Sequence, residues 1–144
     1  DSVSNGLYIL PGAGAFAAVA GHHPPLVAVA GAWLWTMAMH TFSAIPDIEP
    51  DQAAGIETTA TWLGHRGTLA YCLITWGLAA VAFGSVDLRL GGLLAIYPGA
   101  LVAWLVFRVP LDEAYWWYPG LNAIVGAAMT LGGLWELGGG GFVG

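Results

Sequence analysis

Two aspartates four residues apart, Asp47 and Asp51, belong to the segment SAIPDIEPDQAAGIETTATWLGHR, which also contains Glu49 and Glu57. These are four of the nine acidic residues in a chain whose charged residues make up only 8%. On a helix, residues spaced i, i+4 project from one face, one turn apart. The two prolines of the segment can kink or end a helix, so the aspartates can also lie across a bent helix end. In either geometry the two carboxylates are close enough to share one cation.

A pair of carboxylates at this spacing suits a divalent cation. Oxygen ligands favour Mg²⁺ or Ca²⁺ over Zn²⁺, and Mg²⁺ typically takes one or two carboxylates together with water and substrate phosphates. The segment follows a hydrophobic run, and acids at the C-terminal end of a helix are disfavoured by about 0.3–1 kcal/mol each. A cation would offset that cost, whereas Arg66 would offset only part of it. The alternative is a solvated acidic loop that only sets topology or solubility, and the spacing alone leaves both interpretations open.

The composition is that of a membrane protein. Hydrophobic residues make up 58% of the 144 residues and the mean hydropathy is +0.71, whereas soluble domains are about 45–50% apolar and about 25% charged. Three arginines, no lysine and a net charge of −6 leave no basic patch, which excludes nucleic acid as a partner. The single cysteine, Cys72, excludes an intramolecular disulfide and a cysteine-based metal site.

Long apolar runs flank the acidic segment on both sides. A bilayer-spanning helix needs about 20 mostly apolar residues. A shorter run, which contains a proline and glycines, predicts a further spanning helix that is short, kinked or cut off at its N-terminal end. We therefore predict an all-α, polytopic transmembrane bundle of about five helices in the cell membrane, with a long acidic loop at 46–67 and helices at 7–20, 26–45, 68–84, 90–107 and 115–137.

The arginines predict an orientation for this bundle. Alternating spans place Arg66 and Arg108 on one side of the membrane and Arg89 on the other. Because cytoplasmic loops carry an excess of basic residues, we expect the acidic loop to face the cytoplasm.

The acidic segment also resembles a known motif. The stretch DIEPDQAAGIETTATWLGHR is similar to the second aspartate-rich motif of UbiA-type intramembrane prenyltransferases. Its sequence pattern, AIPDIEPD–AGI–TTAT–LG, looks most like the motif of the archaeal and actinobacterial branch of the family. That branch includes lycopene elongases, which make C50 carotenoids such as bacterioruberin. The resemblance covers most of the chain. It implies that residues 1–144 are the C-terminal half of a nine-helix fold, helices five to nine.

The resemblance implies a reaction and roles for individual residues. Asp47 and Asp51 would bind Mg²⁺ and, through it, the diphosphate of an allylic prenyl donor. A lipid-soluble acceptor inside the bundle, lycopene in the carotenoid branch, would attack the resulting allylic cation. Arg66 and His65 follow the motif and are the candidate diphosphate contacts.

Three polar residues inside the spans are candidates for lining the substrate cavity: His40, Tyr118 and Asn122. Polar residues within membrane helices usually face the bundle interior. Two of them also have a plainer interpretation, because His40 can serve as a hydrogen-bonded packing residue and Tyr118 belongs to a YWWY sequence typical of an interfacial aromatic belt.

The chain departs from the family pattern in two respects. Gln52 and Glu57 stand where members often carry basic residues, and the first aspartate-rich motif, of N-D-x-x-D type, is absent from these 144 residues. We therefore expect this chain to be inactive alone and to need the N-terminal half of the same protein or a split partner.

Other functions stay open on the sequence. A non-catalytic membrane subunit or carrier is one alternative, and a UbiA-type enzyme with a quinone or glycerolipid acceptor is another. A CDP-alcohol phosphatidyltransferase is disfavoured, because the Asp-Gly and Ala-Arg pattern expected upstream of its acids is absent.

Overall fold

The computed structural model describes the backbone of residues 1–139 and the side chains of residues 1–135. Within that part of the chain there is no strand, so the all-α prediction is confirmed. Two 3₁₀ segments, Gly6–Ile9 and Ile45–Asp47, join α-helices end to end. The α-helices are α1 (Ser2–Asn5), α2 (Leu10–Ala20), α3 (Leu26–Ser43), α4 (Ile48–Ala54), α5 (Thr59–Gly84), α6 (Leu88–Leu94), α7 (Ile96–Val106) and α8 (Leu111–Gly139).

Four helical segments are long and apolar enough to cross a membrane: Ser2–Ala20, Leu26–Ser43, Thr59–Gly84 and Leu88–Val106. Helix α8 has 29 residues, which is long enough to span, but it is not one of these four. The prediction of a helical membrane bundle is therefore confirmed, with four of the five expected spans meeting this criterion among the described residues.

The first span begins earlier than predicted. The helical path runs from Ser2 to Ala20 without a break, through α1, the 3₁₀ segment and α2, so it contains the predicted helix at 7–20 and begins five residues before it. Pro11 does not interrupt this path, because it stands in the first turn of α2, where no backbone N–H is needed. The buried Ser2 hydroxyl ties the start of the span to the bundle, by hydrogen bonds with Thr41 (3.0 Å) and Tyr71 (2.6 Å).

The predicted acidic loop at 46–67 is helical over most of its length, which corrects the sequence interpretation. Helix α5 begins at Thr59 rather than at residue 68. Its start is specified by a capping box, in which Thr61 N–H donates to Thr58 Oγ1 (3.1 Å) and Thr58 N–H donates to Thr61 Oγ1 (2.7 Å). Gly64 then kinks the helix with a φ of 63°, a left-handed conformation that favours glycine.

The span predicted at 90–107 consists of two helices, α6 and α7. Helix α6 ends at Leu94, whose carbonyl would otherwise pair with the N–H that Pro98 lacks. Helix α6 packs closely on α5 because two glycines meet there, and a Cβ on Gly91 would lie 2.4 Å from the Gly84 Cα. Small residues allow this close approach of membrane helices.

Four aromatic side chains from four helices form the centre of the bundle, and we call them the aromatic core: Phe42 of α3, Trp76 of α5, Tyr97 of α7 and Tyr118 of α8. Each is at most 4% exposed. The rings that contact one another have centroids 5.0 Å (Phe42–Tyr118) to 6.2 Å (Tyr97–Tyr118) apart. Because each helix contributes one ring, the aromatic core sets how α3, α5, α7 and α8 meet.

Candidate functional site

The acidic motif is anchored to the bundle by two isoleucines. Ile45 and Ile48 are 3% and 2% exposed and belong to the same buried cluster as the aromatic core. Asp47 is exposed and Asp51 is half-buried. The two carboxylates therefore lie at the mouth of the bundle, on a backbone held in place by apolar packing.

The backbone through the motif is helical, which settles the geometry that the two prolines left open. The 3₁₀ segment Ile45–Asp47 leads directly into α4. Pro46 stands at the start of the 3₁₀ segment and Pro50 in the first turn of α4, where a missing N–H costs nothing. The prolines start helices here, and Asp47 and Asp51 lie about one turn apart.

The electrostatic setting of the acids differs from the sequence expectation. Helix α3 ends at Ser43, so the acids do not stand at its C-terminus. Asp47 is the N-cap of α4, and Glu49 and Asp51 occupy its first turn, where the helix dipole stabilises a negative charge by about 0.3–1 kcal/mol. The mutual repulsion of the carboxylates, rather than the helix dipole, is thus the force that a bound cation would relieve.

Both aspartates have free carboxylate oxygens. Among the described residues, neither Asp47 nor Asp51 takes part in a side-chain hydrogen bond or an ion pair. The same residues contain no group of three or more His, Cys, Asp or Glu side chains placed to hold a metal ion. The pair fits Mg²⁺, which needs only one or two carboxylates when water and phosphate oxygens fill its other positions.

A cavity of about 580 Å³ opens beside the motif, between the end of α4 and the start of α5. Gln52 connects the two helices there by donating from Nε2 to the Thr61 carbonyl (3.0 Å). Neither Asp47 nor Asp51 lines the cavity, and two acidic side chains, Asp1 and Glu57, do. With that charge the cavity does not suit a phosphate group.

The structure does not bring the two basic candidates to the aspartates. His65 and Arg66 follow the kink at Gly64 and are exposed. Among the described residues, Arg66 forms no ion pair with Asp47 or Asp51.

The three polar candidates within the spans fall into two places. Tyr118 belongs to the aromatic core, and Asn122, one turn further along α8, accepts a hydrogen bond from the Tyr97 hydroxyl (2.8 Å). His40 stacks on Tyr8 of the 3₁₀ segment Gly6–Ile9, with ring centroids 4.6 Å apart. Tyr118 and Asn122 are therefore close together, and His40 faces the first span instead.

The aromatic core contains residues that the sequence reasoning missed. Trp76 is 1% exposed, and its Nε1 has no hydrogen-bond partner among the described residues. The sequence did contain one hint of these residues, because Trp and Tyr within membrane helices carry a polar group that needs a partner when the side chain is buried.

Comparison with known proteins identifies the family. The UbiA prenyltransferase family matches residues 3–116. Three relatives named lycopene elongase/hydratase are similar, from Haloferax volcanii (66% identical over 137 residues), Halobacterium salinarum (60% over 135) and Haloarcula japonica (56% over 137). These matches cover 94–95% of this chain and 46–49% of the relatives, so the chain spans about half their length. No solved structure matches.

A family match over most of the chain agrees with the helical membrane fold and with the aspartate pair at the bundle mouth. The chain belongs to the UbiA prenyltransferase family.

Proposed function

We propose that residues 1–144 form the C-terminal half of a Mg²⁺-dependent prenyltransferase that moves an allylic prenyl group from a prenyl diphosphate to lycopene. The identity of 56–66% to three relatives named lycopene elongase/hydratase supports the reaction class and the acceptor. The observation that carries the site assignment is the unpaired Asp47 and Asp51, one helical turn apart at the bundle mouth.

In this proposal Asp47 and Asp51 hold Mg²⁺ and thereby orient the diphosphate of the donor. When bound, the metal neutralises the diphosphate charge and stabilises it as a leaving group. Ile45 and Ile48 are buried and fix the motif backbone against the apolar interior of the bundle. An apolar, water-poor site prolongs the lifetime of an allylic cation until the acceptor attacks it.

The remaining candidates have supporting roles in the proposal. Arg66 and His65 are exposed near the start of α5 and serve as contacts for the diphosphate when the complete site assembles. Tyr118, Asn122 and His40 line the path of the apolar substrates. The donor's diphosphate stays at the water side, and the acceptor enters from the bilayer.

The proposal includes a partner and an orientation. We place the motif on the cytoplasmic side, because the order of the spans puts Arg66 and Arg108 on that side. The missing first aspartate-rich motif comes from an N-terminal half, either of the same protein or of a separate chain. The relatives are about twice as long as the matched region, which supports this.

A non-catalytic subunit or carrier is the second candidate. The observation that favours it is the small number of ligands, since the described residues contain no cluster of three metal-binding side chains. A UbiA-type enzyme with a quinone or glycerolipid acceptor is a third possibility, and the same experiment separates all three.

The test is expression of the complete protein in a lycopene-producing host, followed by pigment analysis. We expect longer C45 or C50 carotenoids, and we expect Asp47→Asn and Asp51→Asn each to lower their yield at least about 100-fold, as for loss of an electrostatic catalytic group. Glu49→Gln is the matched control, because it removes one negative charge from the same helical turn and should retain activity.

Two results would contradict this proposal. Unchanged pigments together with a prenylated quinone or glycerolipid would overturn lycopene as acceptor. Absence of any prenylated product would favour the non-catalytic subunit or carrier.

A further inference from the structure

One arginine occupies a backbone conformation that the rest of the described chain reserves for glycine. Among the described residues a positive φ occurs at Gly21, Gly55, Gly64 and Arg108. In the left-handed conformation a Cβ comes too close to the backbone carbonyl, so glycine is the usual residue there. Arg108, with a φ of 55°, is therefore strained in a way that the three glycines are not.

The strained backbone is the cap that ends helix α7. The Arg108 N–H donates to the Leu105 carbonyl (3.3 Å), and the Val109 N–H donates to the Trp104 carbonyl (2.9 Å). This pair of hydrogen bonds is the Schellman motif, in which the left-handed position is most often glycine. The cap thus explains the backbone of residue 108 but not its side chain, and strain of this kind is typical of functional positions.

Arg108 lies at the same level of the bundle as the acidic motif. The rings of Trp104 and Phe42 stack with their centroids 6.0 Å apart. Arg108 follows Trp104 by four residues, and Asp47 follows Phe42 by five. Because the second and fourth spans run in the same direction, both residues lie beyond this ring pair on the same side of the bundle.

The chain after Arg108 packs directly beside the motif. Leu111, the first residue of α8, packs against the buried cluster that contains Ile45 and Ile48. Helix α8 also contacts the 3₁₀ segment Ile45–Asp47. Arg108 therefore stands in the connection between two helices that both lie next to the aspartates, at the rim of the bundle mouth.

The guanidinium of Arg108 is available to a ligand. Its side chain is exposed. Two acids, Asp112 and Glu113, follow it in the first turn of α8. Even so, within the part of the chain that the structure describes, Arg108 forms an ion pair with neither of them.

The other basic residues are less well placed. The chain has three arginines and no lysine. Arg89 pairs with Asp87 (3.2 Å) at the opposite end of the bundle, and Arg66 follows the kink in α5. Arg108 is the arginine that the packing of α7 and α8 brings to the acidic motif.

We propose that Arg108 binds the diphosphate of the prenyl donor beside the Asp47–Asp51 pair. This inference rests on the proposed function and adds a binding residue to it. The planar guanidinium presents parallel N–H donors that match two phosphate oxygens. When the allylic C–O bond breaks, its electron pair goes to the diphosphate oxygen. Arg108 keeps its proton and stabilises the charge that develops there.

The test is Arg108→Gly in the complete protein, purified and reconstituted in lipid vesicles that contain lycopene. Glycine suits the left-handed backbone, so the melting temperature should stay the same or rise. We expect kcat/KM for the allylic diphosphate to fall at least about tenfold, as for loss of a charge-assisted hydrogen bond, with the KM for lycopene unchanged. Arg108→Lys keeps the charge but not the planar fork and should recover part of the loss.

The matched control is Arg89→Gln, which removes one positive charge at the opposite end of the bundle and should keep the wild-type kcat/KM. Binding is also measured without turnover, with inorganic diphosphate and Mg²⁺ as the probe. The probe should raise the melting temperature of the wild type and of Arg89→Gln, because a ligand that binds the folded state stabilises it. It should raise that of Arg108→Gly much less.

The outcomes separate this inference from the proposed function. A wild type that transfers prenyl groups, with an Arg108→Gly variant of equal kcat/KM and equal thermal shift, overturns the role of Arg108 and leaves the function intact. A wild type that transfers none overturns the function. In that case a diphosphate shift that Arg108→Gly loses still supports the binding site, and an equal shift in both proteins overturns it.

Discussion

At the scale of single residues, buried apolar side chains alternate with accessible acidic side chains along the acidic motif. Ile45 and Ile48 are buried, whereas Asp47 is exposed and Asp51 half-buried. The apolar side chains position the backbone, and the carboxylates stay available for a ligand. A helical path is needed for this arrangement, because it returns the second carboxylate to the face of the first after one turn.

Asp87 offers a test of electrostatics at the other end of the bundle. The Arg89 backbone N–H donates to its Oδ1 (2.7 Å), and the Arg89 guanidinium lies 3.2 Å from its Oδ2. These contacts, first the backbone hydrogen bond, lower the pKa of Asp87 below its usual value of 3.8. Because the pKa is lower in the folded state, the carboxylate stabilises α6 above pH 3.8, and that contribution is lost as the pH falls through the lowered pKa.

We expect Arg89→Gln to raise the pKa of Asp87 toward its usual value while the backbone hydrogen bond keeps part of the shift. Carboxyl NMR titration in lipid nanodiscs measures this pKa. Arg66→Gln is the control and should leave the Asp87 pKa unchanged, because Arg66 lies at the opposite end of α5. An equal change in both variants would contradict the local cause.

At the scale of helices, small local signals decide where each element begins and ends. The capping box of Thr58 and Thr61 starts α5 well before the apolar run becomes continuous. Pro98 divides the fourth span into α6 and α7. Apolar composition therefore predicts the spans, whereas caps and prolines set their bounds.

The contact between α5 and α6 depends on a glycine. A Cβ on Gly91 would lie 2.4 Å from the Gly84 Cα and 2.9 Å from the Ala80 carbonyl oxygen, whereas a Cβ on Gly92 would meet nothing within 4 Å. We expect Gly91→Ala to lower the free energy of unfolding by about 1–3 kcal/mol, as overpacking does. Gly92→Ala should be neutral or slightly stabilising, because alanine is the better helix former.

Denaturant unfolding of the complete protein in detergent measures both variants. Equal stability of Gly91→Ala and Gly92→Ala would contradict this prediction, because it would show that α5 and α6 can move apart without a loss of stability.

At the scale of the whole molecule, the chain is a bundle with half of a proposed active site. Its described residues place two unpaired carboxylates at the bundle mouth and no larger group of metal ligands. Much apolar surface is also exposed, and only 6% of the first span is buried inside the structure. Lipid and further protein segments can cover this surface, and the lycopene elongase/hydratase relatives are about twice as long as the matched region.

We expect the purified 144-residue chain to transfer no prenyl group to lycopene in lipid vesicles supplied with Mg²⁺ and an allylic diphosphate. Co-reconstitution with the N-terminal half of the Haloferax volcanii relative should restore transfer, because this chain matches only 46% of that relative and the proposal assigns the rest of the site to the unmatched part. Product formation is measured by pigment chromatography. Activity of the chain alone would contradict the proposal that its site is incomplete.

The sequence by itself determined the helical membrane class, most of the spans, the aspartate pair and the family. These follow from composition, from the length of the apolar runs and from a short motif, all of which are local in the chain. The prediction of a loop at 46–67 was wrong because Pro46 and Pro50 stand where helical turns start, and because the capping box of Thr58 and Thr61 starts α5 at Thr59.

Only the tertiary structure decided which side chains meet. Trp76 and Tyr118 are 42 positions apart in the sequence, and their rings become neighbours because α5 and α8 both pack on Phe42 of α3. The tertiary structure also showed that His40 packs on Tyr8 rather than beside Tyr118. The acidic residues, which the sequence predicted at the end of one helix, stand at the start of another. Contacts between distant residues depend on how helices pack, and no local pattern in the chain encodes that arrangement.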